Sequence, residues 1–162
     1  MPAHEADPLR KHLDNLLRME GAHLALEEAV ANFPVELAGL KPDGAPHSAW
    51  ELLEHMRLAQ EDILDFSRNP NYAERKFPDD YWPAQSEPPS KEAWLAAVQQ
   101  FERDRSAMRA MIADASQDLF TKIPHGDGQT LLREALILAD HNSYHLGQLM
   151  FLRKILEARN PR

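Results

Sequence analysis

Apolar residues recur at intervals of three and four along four stretches of this chain, the period of one helical face. In the first, Leu9, Leu13, Leu16, Leu17, Leu24 and Val30 follow Asp7-Pro8, a capping acid with a proline suited to the first helical position. This predicts a helix from Asp7-Pro8 to Phe33-Pro34. Gly21 falls inside it, as a bend or a close helix contact that costs about 1 kcal/mol against alanine. The second stretch opens on Ser48-Ala49-Trp50-Glu51, a capping box. Trp50, Leu53, Met56, Leu58, Ile63 and Leu64 carry it to Asn69-Pro70. The third follows Ser90, with Trp94, Leu95, Val98, Phe101, Met108, Met111 and Ile112 on its apolar side. Glu92, Glu102, Arg103, Asp104 and Arg105 read as its solvated face. The fourth is capped by Thr130, carries Glu134 in its first turn, and runs through Leu131, Leu132, Ala135, Leu138, Leu149, Leu152 and Leu156 to about Ala158.

The connections are equally readable. Pro42, Pro46, Gly39 and Gly44 make residues 38–47 a loop. Pro70, Pro78, Pro83, Pro88 and Pro89 forbid a continuous helix over residues 69–89. So long a connection in a compact domain is functional or mobile, and Phe77, Tyr81 and Trp82 are its expected anchors, with part of a pocket wall as the alternative. Pro124-His125-Gly126-Asp127-Gly128 is a tight turn. It lacks the spacing and the Lys-Ser/Thr pair of a phosphate loop, and no strand precedes it. No strand pattern competes anywhere. The expectation is an all-α four-helix bundle, one domain over residues 1–162.

Composition narrows the function. Hydrophobic residues make up 43% of the 162, enough for a real core. The net charge of −8 and pI near 5.4 argue against nucleic acid, which needs cationic surface. There is no cysteine, so thiolate zinc sites, catalytic thiols and disulfides are excluded, and any metal must be held by His, Asp or Glu. No apolar run approaches the roughly 20 residues of a membrane span, and the N-terminus has no secretory h-region. A cytoplasmic location is the expectation.

The candidate chemistry lies in Asp140-His141-Asn142-Ser143-Tyr144-His145-Leu146-Gly147-Gln148-Leu149. His141 and His145, four residues apart, stack one turn apart on one face, and Gln148 shares their arc. Leu138 and Ala135 continue that arc, so the histidines interrupt an apolar stripe. Burying two unpartnered imidazoles costs on the order of 1–3 kcal/mol each. A metal ion satisfies both; buried hydrogen bonds, or a face open to water, are the alternatives. No glutamate lies between them, so the zincin general base is missing. On the wheel Tyr144 points away from both and Asp140 is rotated about 100° from His141. Gly147 is a small residue for close helix packing. His12 and His23 read as surface or packing residues and His125 as exposed. From its own helix alone, His55 is a half-buried histidine on an amphipathic face.

Three segments resemble the DinB superfamily, the DinB/YfiT-like metalloenzymes. Ser48-Ala49-Trp50-Glu51-Leu52-Leu53-Glu54-His55-Met56 is similar to that family's tryptophan-led second helix. Gln129-Thr130-Leu131-Leu132-Arg133-Glu134-Ala135-Leu136 is similar to the start of its last helix. His141-Asn142-Ser143-Tyr144-His145-Leu146-Gly147-Gln148-Leu149 is close to its H-x-x-x-H-x-G-Q pattern. The resemblance implies an up-down-down-up four-helix bundle, commonly a homodimer, and ligand roles for His55, His141 and His145. Residues 69–89 depart from it and choose no subfamily. An all-nitrogen site suits a divalent transition metal: Zn²⁺, Ni²⁺, Fe²⁺ or Mn²⁺. Characterised relatives include transferases and isomerases that use bacillithiol, mycothiol or glutathione. The implied function is therefore a metal-dependent enzyme on a small molecule, leaning to a thiol-dependent S-transferase with a low-molecular-weight thiol cosubstrate. A metal-dependent hydrolase and a non-enzymatic metal-binding, stress-related bundle are the alternatives.

Overall fold

The structure, a computed structural model, describes residues 7–160. Among them it is all-α, with four main helices packed together and no strand. The helices are α1 (Pro8–Leu17), α2 (Leu26–Val30), α3 (Ala49–Arg68), α4 (Lys91–Ala113) and α5 (Leu131–Arg159). Each long helix starts on the cap its sequence specifies. Asp7 accepts from Leu9 N–H, Ser48 and Glu51 close a reciprocal capping box, Ser90 accepts from Ala93 N–H, and Thr130 accepts from Arg133 N–H.

The first predicted helix is not continuous. It stops at Leu17, and α2 resumes only at Leu26. Met19 and Gly21 both adopt positive φ, at 59° and 100°. Nothing lies within 4 Å of a Cβ built on Gly21, so it serves the left-handed turn rather than a close contact. The break lets Met19 turn inward, 1% exposed, and leaves Leu16 and Leu24 about half exposed.

The expected solvated face of α4 is also partly covered. Asp104 and Arg105 are buried, because α1 and the chain after it lie against that side of the helix. Arg105 pairs with Glu27 and donates to the Arg18 carbonyl, which satisfies its charge away from water.

α3 is the hub, packing along both α4 and α5. The core divides in two. One cluster gathers Trp50, Leu53, Met56, Trp94, Phe101 and Leu149; the other gathers Leu64, Met108, Ile112, Leu131 and Leu138. Between them is a polar layer. Gln60, fully buried on α3, donates to the Phe101 carbonyl of α4 at 2.6 Å and accepts from Asn142 of α5 at 3.0 Å. Isolated buried amides are costly, and this pair is instead joined across three helices.

Residues 69–83 form a strap that leaves the end of α3 and runs back along it. Tyr72 sits edge-on to Phe66, Arg75 reaches the Leu58 carbonyl, and Tyr81 and Trp82 arrive beside His55. Tyr81 and Trp82 thus anchor the strap as expected. Phe77 does not; it is 79% exposed. No described helix is long and apolar enough to cross a membrane.

Candidate metal centre

The two-period logic of facing helices brings His55 of α3 to His141 and His145 of α5. Their ligand nitrogens lie within 4.8 Å of one another, and no aspartate or glutamate among the described residues joins the group. His55 Nε2 and His141 Nε2 are 3.0 Å apart. A zinc–nitrogen bond is about 2.0–2.1 Å, so this spacing is of the size that two ligands of one ion require. His55 and His145 are buried and His141 is half-buried.

The outer ring nitrogens decide which lone pairs face inward. His55 Nδ1 lies 2.8 Å from the Tyr81 carbonyl, which can only accept, so Nδ1 carries the proton and Nε2 is free. His145 Nδ1 donates to Gln148 Oε1 at 2.7 Å, with the same result. His141 Nδ1 is buried without a hydrogen-bond partner. Two facing Nε2 atoms can share only one proton between them. A cation with nitrogen preference satisfies this donor set better than the imidazoles satisfy one another, so the residues present fit a divalent metal.

Burial holds all three imidazoles neutral. It pulls His141 from 6.5 down to about 4, reinforced by the repulsion that a second protonated imidazole at His145 or His55 would bring. His55 is lowered by burial, partly offset by its bond to the Tyr81 carbonyl. His145 is lowered by burial too, partly offset by Gln148. Neutral imidazole is the form that binds metal.

Aromatic stacking walls one side. Trp82 lies flat on His55, ring centroids 3.9 Å apart and planes 5° from parallel. His47 covers the other face of the same indole at 4.1 Å and 16°. A cavity of about 290 Å³ lies beside the cluster; none of the three histidines lines it, but His47 and Gln148 do, with Leu52, Phe151, Leu152 and Ile155 as its chief apolar walls.

The other predicted roles sort cleanly. His12, His23 and His125 are exposed and outside the cluster; His125 binds the Phe66 carbonyl through Nε2. Glu51 is committed to the capping box and to Lys41. Asp140 is exposed. Tyr144 was expected to point away; it is 64% exposed, yet its ring stands edge-on 4.8 Å from that of His145. The contact is one between chain neighbours, which the wheel, tracking only the direction of each Cα–Cβ bond, does not register. Sequence reasoning did not find His47, the Tyr81 carbonyl or the Gln60–Asn142 pair. A backbone acceptor has no sequence signature. The one available signal for the wall was a tryptophan within a proline-rich connection between histidine-bearing helices.

The sequence model of the DinB superfamily matches residues 18–149, a span that holds all three histidines. No curated protein and no solved structure matches the chain.

Proposed function

Because this chain belongs to the DinB superfamily, we propose that it is a divalent-metal-dependent enzyme acting on a small molecule, and that its chemistry is thiol-dependent S-transfer. The observation that carries this is the convergence of three imidazoles with no fourth His, Asp or Glu joining them among the described residues, which suits a catalytic rather than a closed structural site. Zn²⁺, Ni²⁺, Fe²⁺ and Mn²⁺ all suit the donor set. Such an ion supplies a Lewis acid that makes the thiolate of an exogenous thiol available near neutral pH. The chain has no cysteine, so the sulfur comes from a cosubstrate. In the reaction the thiol proton passes to solvent, sulfur forms a bond to an electrophilic carbon, and the leaving group departs with the electron pair. Burial keeps His55, His141 and His145 as ligands rather than proton carriers. The adjoining apolar cavity suits the body of the electrophile. Hydrolysis would need a general base, and no carboxylate joins the cluster among the described residues.

The test is elemental analysis followed by a thiol titration of Co²⁺-substituted protein. About one metal equivalent, lost in His55→Ala, with a new sulfur-to-cobalt charge-transfer band on adding glutathione or a similar thiol, is the expected result. Bound metal without any thiol response overturns the transfer chemistry and leaves hydrolysis or a structural ion. Absence of metal after reconstitution overturns the enzyme.

The same reading includes a homodimer paired through α5. Ile137, Tyr144 and Phe151 recur every seven residues along its outer face and are 38%, 64% and 68% exposed. Gly147 lies among them, and a Cβ there would meet nothing within 4 Å. Within the chain, then, no close packing explains the glycine, which costs about 1 kcal/mol mid-helix. Asp140 and Lys154 stand at equal distances on either side of it. An antiparallel two-fold crossing at Gly147 sets Asp140 of one copy against Lys154 of the other, the reciprocity an isologous interface requires.

A further inference from the structure

The strap meets α3 at two places, and Tyr81 belongs to both. Asp62 lies two turns along α3 from His55, on the same face, roughly 10 Å away along the axis. Asp62 is buried, 8% exposed, and both its carboxylate oxygens are engaged by the strap: Tyr72 hydroxyl donates to Oδ1 at 2.8 Å and Tyr81 hydroxyl to Oδ2 at 2.6 Å. Arg75 Nε stands 3.7 Å from Oδ1, adding a cation to the same carboxylate. The backbone carbonyl of Tyr81 then accepts a hydrogen bond from Nδ1–H of His55, and the next residue, Trp82, lies on the His55 ring. One residue therefore ties a buried acid through its side chain and a cluster histidine through its main chain.

The strap has no regular structure of its own here beyond a short 3-10 turn at Asp79–Tyr81 and a backbone turn between Asn69 and Tyr72. Its register along α3 is set by these side-chain bonds rather than by a ladder of backbone bonds. We propose that Asp62, which touches no residue of the histidine cluster, is a positioning residue for it: through Tyr81 it fixes the carbonyl that selects the Nδ1–H tautomer of His55 and leaves Nε2 free. Strap docking and metal binding are then thermodynamically linked, and each favours the other by the same factor. A histidine whose outer-nitrogen acceptor is removed holds metal about 10–100-fold less tightly.

The inference rests on the metal-site reading for its consequence but not for its first readout. That readout is the tautomer of His55 in metal-free protein, taken from long-range ¹⁵N–¹H correlation spectra. The parent shows Nδ1–H alone. Tyr81→Phe and Asp62→Asn show a mixture with Nε2–H, whereas Tyr72→Phe, which loosens the same carboxylate without passing through His55's acceptor, leaves the tautomer unchanged. The second readout is Zn²⁺ affinity by chelator competition. It falls about 10-fold or more in Tyr81→Phe and by much less in Tyr72→Phe. Limited proteolysis near Lys76 gives the reciprocal effect: Zn²⁺ protects the parent strap and protects that of Tyr81→Phe less. An unchanged His55 tautomer in Tyr81→Phe overturns the proposal, even if its melting temperature drops, because a merely structural anchor would do that. A shifted tautomer in a protein that binds no metal keeps the positioning role and removes the metal function.

Discussion

Trp82 covers one face of His55 while Tyr81, its neighbour in the chain, accepts a hydrogen bond from the edge of the same ring. Two consecutive strap residues thus fix the ring's plane and its tautomer. Of the three tryptophans, Trp50 and Trp94 are buried in the apolar core and only Trp82 stands at the histidines. Metal titration should therefore change the fluorescence of Trp82 alone. The signal is expected in the parent and absent in Trp82→Phe, which retains metal within a few-fold. A signal that survives Trp82→Phe would place the metal elsewhere.

Alanine substitution separates the cluster from the other histidines. His55→Ala, His141→Ala or His145→Ala each removes a proposed ligand and should weaken binding by more than about 100-fold, beyond the usual loss from outer partners. His23→Ala and His125→Ala should leave affinity within about two-fold. Loss of the His125 bond to the Phe66 carbonyl should cost stability of about 1 kcal/mol, read in a urea melt.

Acid should weaken the metal-free fold through the cluster. An imidazole in the unfolded chain titrates near 6.5, while His141 is held down to about 4 and His55 and His145 are lowered in the same direction, all by burial first. As pH falls through about 6.5 the unfolded state takes up protons that the native state refuses, so stability drops from there towards about 4. Below that, His141 is protonated in both states and its contribution levels off. Urea melts between about pH 7 and about pH 5 should show a shallower slope in His141→Gln than in the parent.

A charge swap tests the α5 pairing. Sedimentation equilibrium should find a dimer for the parent, weakened in Lys154→Glu and restored in Asp140→Lys/Lys154→Glu. Gly147→Leu should give a monomer that melts no lower than expected from helix propensity, since the added side chain meets nothing within the chain. A parent that stays monomeric at every concentration overturns the pairing.

How much of this was legible depended on whether the cause was local. Ser48, Ser90 and Thr130 announce their helices because capping is settled within four residues. His141 and His145 share a face because helical period alone demands it. The break after Leu17 was legible only as the bend that Gly21 allowed: the apolar period runs on through Leu24 and Val30, and only the left-handed backbone at Met19 and Gly21 interrupts it. The burial of Asp104 and Arg105 depends on what lies against α4, and Arg105 finds its acid seventy-eight positions away at Glu27. The His47–Trp82–His55 stack likewise exists only once the strap has folded back.

The amide pair between the two apolar clusters bears on anyone who would transplant these histidines into another scaffold. Gln60 and Asn142 act as an index mark between α3 and α5, since apolar side chains alone would tolerate a slide of one turn, about 5.4 Å, that sets the wrong rung of α5 against His55. Replacing both amides by leucines should preserve helicity and even melting temperature. A graft that copied three histidines and a greasy interior could thus be well folded and still be miscut, like a key with the right teeth at the wrong depth along the blade.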